Sequence, residues 1–246
     1  MNFYIYSLSE AIAVAASVWP AGLLDAPVET VEHAGLSLIV SRIERLPTPV
    51  RWVDLQAHDA VNRAVLDGGV CVPLRYGTMS ATRQQCVELI EQRIDYWRET
   101  IERVRGHVEI SIKGLLPAQP EAAAAQHVPV AAGPGTAYLQ RRRADLEAQE
   151  RLVERSKHLA EEIRHELGLP SDAVIVDSRG RLIDVALLIR REFSSEVVAR
   201  LRTRIETLPG RWRVGAPWPP YSFVGAPTGS GHLGPAKEER KRGEPG

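Results

Sequence analysis

The chain has 246 residues, a length that suggests one large domain or two small ones. Lys plus Arg and Asp plus Glu both number 31, so the formal net charge is zero and the basic excess typical of nucleic-acid-binding proteins is missing. The 44% hydrophobic content suffices for a packed core, yet no apolar run approaches the roughly 20 residues that span a bilayer.

Cysteine usage and the N-terminus indicate the compartment. Cys71 and Cys86 are the only cysteines and do not form a CxxC motif, so neither a disulfide framework nor a zinc or redox site is predicted. The apolar stretch near the N-terminus lacks preceding basic residues, and Glu10 interrupts it, unlike a secretory signal. We therefore expect a soluble, cytoplasmic protein without a membrane span.

The chain opens with strand-like segments. Residues 3–8 are aromatic and β-branched and predict a strand, and residues 11–18 predict a short helix. Two alternating runs, 28–33 and 36–43, are joined by Ala34-Gly35 and predict a β-hairpin with a tight turn.

Helical patterns dominate the next part of the chain. Asp54 is predicted to cap a helix that ends before a Gly-Gly pair, and a short buried strand follows at 70–74. A longer helix capped near Ser80 is indicated by apolar residues at alternating steps of three and four. The run 107–113 alternates as a strand. These segments predict an α+β domain over residues 1–113, an antiparallel sheet with helices on one face.

A change of composition separates this domain from a long helix. Residues 114–134 are rich in Pro, Ala and Gly, and we interpret them as a linker or variable loop. A helix is then predicted from near Thr136 to Leu167. Its apolar residues at every seventh position are Leu139, Leu146, Val153, Ala160 and Leu167. Coiled-coil pairing is one interpretation of this repeat, and docking on the helix's own domain is the favoured one.

The last predicted elements form a second α+β domain over residues 135–224. Strands at 173–176 and 182–189 predict a hairpin, and Ser194 is predicted to cap a helix beside a hydrophobic staple. A final strand is expected at 212–216. The resulting order, α-β-β-α-β, is a truncated ferredoxin-like pattern.

Few residues suggest chemistry. The sequence contains no nucleophile elbow, phosphate-binding loop, dinucleotide fingerprint or zinc-protease motif, so we predict no catalytic residue, cofactor or metal. His58 borders an apolar helix face, where a hydrogen-bonded structural histidine is favoured over a catalytic base. Arg75 precedes a helix N-terminus that can bind an anion, but a structural pair with Glu109 beside a turn at Gly77 is the favoured alternative.

A Pro-rich aromatic segment stands out at residues 216–223. Three prolines in four residues exclude a helix and a central strand and predict an extended path. Two functions stay open: the aromatic residues clamp the segment onto the domain surface, or they form a rigid platform for a partner. The candidate partner-binding residues are Pro217, Trp218, Pro219, Pro220, Tyr221 and Phe223. The tail at 225–246 is rich in Gly and Pro and ends in KEERKRGEPG, which has no apolar residue to bury, so the tail is predicted to be disordered.

These segments together resemble the gas vesicle protein GvpL/GvpF family. The segment PWPPYSFV is similar to the one that closes the folded region of that family, and the opening FYIYSL is similar in kind. The other matching motifs are VCVPLRYGT after the His58 helix, HVEISIK and GTAYLQRR. Their family-motif residues, interpreted as structural, are His58, Pro73, Arg75, Gly77, Glu109, Lys113 and Tyr138.

The resemblance implies an assembly factor and not an enzyme. It implies two α+β domains, the second a modified ferredoxin-like domain, and binding of the small hydrophobic shell protein and other accessory proteins during gas vesicle formation. No catalytic residue or cofactor comes with it. The expected location is the cytoplasm and the gas vesicle, and the oligomeric state stays open. The alternatives from other classes are a ferredoxin-like regulator that binds an anionic small molecule near Arg75 and an enzyme that uses His58.

Overall fold

The computed structural model of the protein describes residues 1–11, 19–117, 134–179 and 181–225. The helix predicted at 11–18, most of the predicted linker and the tail from residue 226 lie outside the described residues.

Nine strands and five helices are described in this part of the chain. The strands are β1 Asn2–Glu10, β2 Val28–His33, β3 Leu36–Ile43, β4 Val72–Pro73, β5 Met79–Ser80, β6 His107–Leu115, β7 Val174–Arg179, β8 Leu182–Arg190 and β9 Arg211–Val214. The helices are α1 Trp52–Gly68, α2 Arg83–Glu91, α3 Ile94–Val104, α4 Pro134–Leu167 and α5 Ser194–Glu206.

The first sheet is antiparallel, in the order β2-β3-β1-β4, with β5 also paired to β1. The predicted hairpin at Ala34-Gly35 is confirmed by the register of β2 and β3, which closes at His33 and Leu36. Ala34 and Gly35 both have positive φ, as such a tight turn requires.

Helices cover both faces of this sheet, so the prediction of helices on one face is wrong. Tyr4 and Ile39 pack in one apolar cluster with Val61 of α1. Phe3 and Leu38, whose side chains alternate to the other face, pack in a second cluster with residues of α2 and α3. The reason is that β1 and β3 carry buried side chains at both odd and even positions, as in a strand buried on both faces.

Two helix boundaries differ from the predictions. Asp54 is not the N-cap of α1: it lies at the third helical position and its Oδ2 accepts a hydrogen bond from the Arg51 backbone N–H at 2.9 Å. The helix therefore begins two residues earlier than predicted, and Trp52 and Val53 belong to its first turn. The helix expected from Ser80 is capped by Thr82 and is divided into α2 and α3.

The second sheet has the order β7-β8-β6-β9, and all its neighbours are antiparallel. The strand β6 pairs with β8 along its whole length, from His107↔Arg190 to Leu115↔Leu182. The second unit is therefore β6-α4-β7-β8-α5-β9, the complete βαββαβ pattern of a ferredoxin-like fold and not the predicted truncated one. The domain limit at residue 113 stays a prediction, although the sheets divide the chain before His107.

The second sheet is also covered on both faces. Val185 and Leu187 face α4 and α5, where they pack with Ile163 and Leu201. Leu188, on the opposite face of β8, belongs to the apolar cluster of the first sheet. The two units thus share a continuous core.

The start of α5 also differs from the prediction. Ser194 is the first residue of this helix and not its cap.

Candidate functional site

The segment 216–225, which we call the strap, is anchored by Glu109 of β6. The Glu109 backbone N–H donates to Trp218 O at 2.8 Å, and the Trp218 N–H donates to Glu109 O at 2.9 Å. The Glu109 carboxylate accepts two further bonds from Ser222, from its backbone N–H at 2.7 Å and its hydroxyl at 2.9 Å. Burial raises the pKa of this carboxyl, and the bonds from Ser222 oppose the rise.

Apolar packing holds the same segment. Phe223 is buried in the cluster that α2 and α3 form with the first sheet. Pro219 and Pro220 are buried as well. The strap therefore lies across both units with Pro219, Pro220 and Phe223 packed inward, and its largest side chain, Trp218, reaches solvent.

A buried polar and aromatic cluster connects the strap to α1 and β1. His58 is only 4% exposed. Its Nδ1 lies 2.7 Å from the Tyr4 hydroxyl, and its Nε2 lies 3.1 Å from the Leu74 carbonyl oxygen. Because a carbonyl only accepts, the Leu74 contact requires the proton on Nε2 and leaves Nδ1 to accept from Tyr4; Asn62 Nδ2, also 3.1 Å from Nε2, then donates no hydrogen bond to this nitrogen. Asn62, one turn later on α1, donates to the Tyr221 hydroxyl at 2.8 Å.

The electrostatics of this cluster favour neutral groups. Burial lowers the pKa of His58 to about 4, so the imidazole is uncharged at neutral pH. Burial also raises the pKa of Tyr4 and of Tyr221 above the ordinary phenol range, so both stay protonated. A general base needs access to its substrate, whereas both ring nitrogens of His58 are occupied by protein groups. His58 therefore acts as a structural residue that connects α1 to Tyr4 of β1 and to the Leu74 carbonyl.

The other residues of the Pro-Leu-Arg motif have separate positions. Arg75 is exposed, and the predicted pair with Glu109 is wrong because Ser222 occupies the Glu109 carboxylate. Gly77 has a φ of +92°, which confirms its predicted turn. Pro73 is buried in β4 opposite Ser7.

The two remaining motif residues lie in the second unit. Lys113 donates to the carboxylate of Asp184, the residue opposite it in the β6-β8 register. Tyr138 lies near the start of α4 with its side chain exposed.

A group of exposed apolar residues lies where α1 begins. Trp52 is 71% exposed, and Val50, Val53 and Leu55 are exposed beside it in the chain. Large apolar side chains concentrated on a surface mark interaction sites more often than isolated ones do. The helix was expected to begin at Asp54, so this group was missed. The available signal was a Trp and two valines outside the apolar stripe of α1.

Trp218 of the strap lies against the side of α1 that also carries Trp52. The spacing of Trp52, Leu55, Asp59 and Arg63 places these four residues on one side of α1. The Arg63 Cζ is 4.1 Å from the centroid of the Trp218 ring, and Arg63 also bonds Asp59 at 2.6 Å. Trp218 is 36% exposed in this position. We call Val50, Trp52, Val53, Leu55 and Trp218 the α1 surface.

Two clefts lie away from these residues. One of about 750 Å³ is lined by residues of α3, β8 and α5, including Arg103, and by Phe193 immediately before α5. The other, of about 520 Å³, is lined by residues of α4 and the second sheet including Trp212. Among the helices of the described residues, none has both the length and the apolar composition that crossing a bilayer requires.

Comparisons with known proteins agree with one another. Gas vesicle protein L of Streptomyces sp. (strain CB03234) is 26% identical over 249 residues, covering 90% of this chain and 92% of that protein. The crystal structure of GvpF from Microcystis aeruginosa has a TM-score of 0.72 at 18% identity and covers 92% of this chain and 99% of that one. GvpF from Anabaena sp. PCC7120 has a TM-score of 0.68 at 18% identity, with 92% and 98% covered. These two likenesses show the same α+β fold.

The match to the family itself extends over nearly the whole chain. The sequence model described as "Gas vesicle synthesis protein GvpL/GvpF" matches residues 2–225, which run from the first residue of β1 to the end of the strap. This protein therefore belongs to the GvpL/GvpF family of gas vesicle synthesis proteins.

Proposed function

We propose that this protein promotes gas vesicle assembly in the cytoplasm by binding the small hydrophobic shell protein, and that the α1 surface is the contact. Family membership supports an accessory role in gas vesicle formation. The observation that carries the finer proposal is the exposure of Trp52 and its apolar neighbours at the start of α1. Other gas vesicle accessory proteins are further proposed partners, and the proposed role is binding and not catalysis.

The chemistry of the shell subunit matches this surface. A small hydrophobic subunit exposes apolar surface before incorporation, and that surface aggregates unless it is covered. A tryptophan buries a large apolar area at a low cost in side-chain entropy, which is why Trp is enriched among the residues that dominate binding energy. Trp52 supplies one such side chain on α1, and Trp218 of the strap supplies a second against Arg63 of the same helix.

The strap supports the proposal by holding Trp218 in place before a partner arrives. Two backbone hydrogen bonds, one donated by Glu109 and one accepted by it, fix the main chain of Trp218, and the guanidinium of Arg63 covers one face of its ring. A side chain fixed in advance loses less freedom on binding, so more of the contact energy appears as affinity. Pro217, Pro219 and Pro220 restrict the backbone on either side.

The test is co-expression of the chain with the major gas vesicle shell protein, followed by a pull-down of soluble complex. The wild type is expected to keep the shell protein soluble. Trp52→Ala is expected to reduce the recovered shell protein by about 10-fold or more, the effect of losing one dominant interface residue. Trp218→Ala is expected to act in the same direction. Tyr221 is a poorer probe because its hydroxyl is bonded to Asn62.

Phe193→Ala supplies the matched control, since Phe193 is also an exposed aromatic residue but belongs to the second unit. It should leave the recovered shell protein unchanged. Trp52→Ala and Phe193→Ala remove rings that are mostly exposed and should keep the wild-type Tm, whereas Trp218→Ala removes a ring that is 36% exposed and lies against Arg63, so it should stay folded with a lower Tm. Normal recovery by a folded Trp52→Ala, Trp218→Ala double variant would exclude the α1 surface as the contact. Absence of any complex in the presence of the full accessory set would exclude shell-protein binding itself.

A further inference from the structure

The helix α4 is longer than the body on which it packs. Its 34 residues correspond to a length of roughly 50 Å. The side chains that it buries against the second sheet lie in its C-terminal half, where Leu159, Ala160 and Ile163 are buried. In the N-terminal half, Leu139 is 66% exposed and Leu146 is 46% exposed. This half of the helix therefore carries an apolar stripe without described residues over it.

The exposed leucines lie on the same side of α4 as residues that the C-terminal half of the helix buries on the second sheet. Leu139, Leu146, Val153 and Ala160 follow each other at steps of seven, which keeps residues on nearly the same side of a helix. Ala160 is buried on the sheet, Val153 is half-buried and the two leucines are exposed. Helices that pack along one another usually carry apolar residues at two of every seven positions; here one of the two is apolar and the other is polar, with Arg142 and Gln149, a pattern that fits a weak contact.

Charges beside the stripe fit a second copy of the same helix in antiparallel orientation. Arg142 precedes Leu146 by four residues, and Glu150 follows it by four. An antiparallel crossing at Leu146 brings Arg142 beside Glu150 of the second copy, and the reverse, so two opposite-charge pairs form by symmetry. A parallel crossing would place like charges together.

Arg142 and Glu150 are not paired with neighbouring charged residues of the described chain. Arg143 already pairs with Glu147 within the helix at 2.8 Å. Within the described part of the chain, Arg142 and Glu150 form no ion pair, and both are exposed. We propose that two copies of this protein associate through the N-terminal halves of their α4 helices, antiparallel about Leu146. This proposal is independent of the α1 surface and of shell-protein binding.

The association is expected to be weak, because the contact is one short helix pair. Sedimentation equilibrium of the purified full chain should show a reversible dimer over roughly 1 to 300 µM, the range where small interfaces associate. A Leu139→Ser, Leu146→Ser double variant should stay monomeric with an unchanged Tm, because both side chains are exposed. Leu182→Ser, at an exposed leucine of β8, should dimerise like the wild type.

A charge swap tests the orientation. Arg142→Glu alone and Glu150→Arg alone should each weaken the dimer at low salt, because each places like charges together. The double variant Arg142→Glu, Glu150→Arg restores two opposite-charge pairs and should recover wild-type association. A wild type that stays monomeric throughout the range would overturn the proposal. So would a dimer that survives the double serine variant, or a charge-swapped variant no better than the single ones.

Discussion

The Glu109 carboxylate makes a specific prediction about what holds the strap. Replacing Glu109 with Ala removes both bonds to Ser222 and leaves the Ser222 N–H without its acceptor. Hydrogen bonds to a charged group contribute about 1.5 to 3 kcal/mol each, and the loss is partly offset because a buried charge is removed. The expected net loss in free energy of unfolding is about 3 kcal/mol. For a chain of this size that corresponds to a fall in Tm of about 9 °C.

Glu109→Gln is the matched variant. Its amide oxygen can accept from the Ser222 N–H, and its NH2 group can donate to the Ser222 hydroxyl, while the desolvated charge disappears. We expect its stability to stay within about 1 kcal/mol of the wild type. The assays are thermal unfolding and hydrogen exchange of the Ser222 amide, which should be protected in the wild type and in Glu109→Gln and unprotected in Glu109→Ala. Equal loss in both variants would show that charge, and not hydrogen bonding, anchors the strap.

Three further predictions concern His58, Gly210 and the two buried cysteines. The neutral His58 contributes stability that is present above pH 6.5 and is lost as pH falls towards its folded pKa of about 4, so the wild type should lose about 2 kcal/mol more than His58→Gln between pH 7 and pH 5 in urea unfolding. Comparison with His58→Gln removes the contribution of other titrating groups, such as Glu109, whose raised pKa changes stability with pH in the opposite direction. Equal losses in the wild type and the variant would contradict this role of His58. Gly210→Ala should cost about 2 to 4 kcal/mol in the same assay, because φ is +109° and the new Cβ would lie 2.4 Å from the Leu115 carbonyl oxygen; a wild-type midpoint would refute it. Cys71 and Cys86 are buried, and burial raises the pKa of both thiols, so Ellman's reagent should label them only on unfolding.

Local patterns in the sequence predicted most elements and the two hairpins, but not the pairing of strands that lie far apart in the chain. The hairpin of β2 and β3 follows from alternation and a Gly-containing turn within 16 consecutive residues, 28–43. The partners of β6 are different, because β8 lies about 70 residues further along the chain. Nothing within 107–113 indicates that partner, and the composition change after residue 113 favoured a boundary there. The ferredoxin-like pattern consequently lost its first strand in the prediction.

The candidate site divides in the same way. The unusual composition of 216–223 was sufficient to single out the strap, because three prolines and several aromatic residues leave few backbone paths. The partner of Glu109 was not predictable, since Ser222 is 113 residues away and either Arg75 or Ser222 satisfies a carboxylate chemically. The exposure of Trp52 was not predictable either. Tryptophan is usually at least partly buried, and only the packing of α1 leaves this side chain on the surface.

The strap explains why distant residues form one surface. Glu109 belongs to the second sheet, whereas Asn62 and Arg63 belong to α1 on the first. Through the strap, Glu109 positions Tyr221 on Asn62 and Trp218 on Arg63, so a single buried carboxylate helps to fix the second unit relative to α1. Loss of the Glu109 bonds should therefore weaken partner binding at Trp218 more than at Trp52, because Trp52 is held by its own helix. A stability element and the proposed recognition surface are thus physically coupled through ten residues of chain, 216–225.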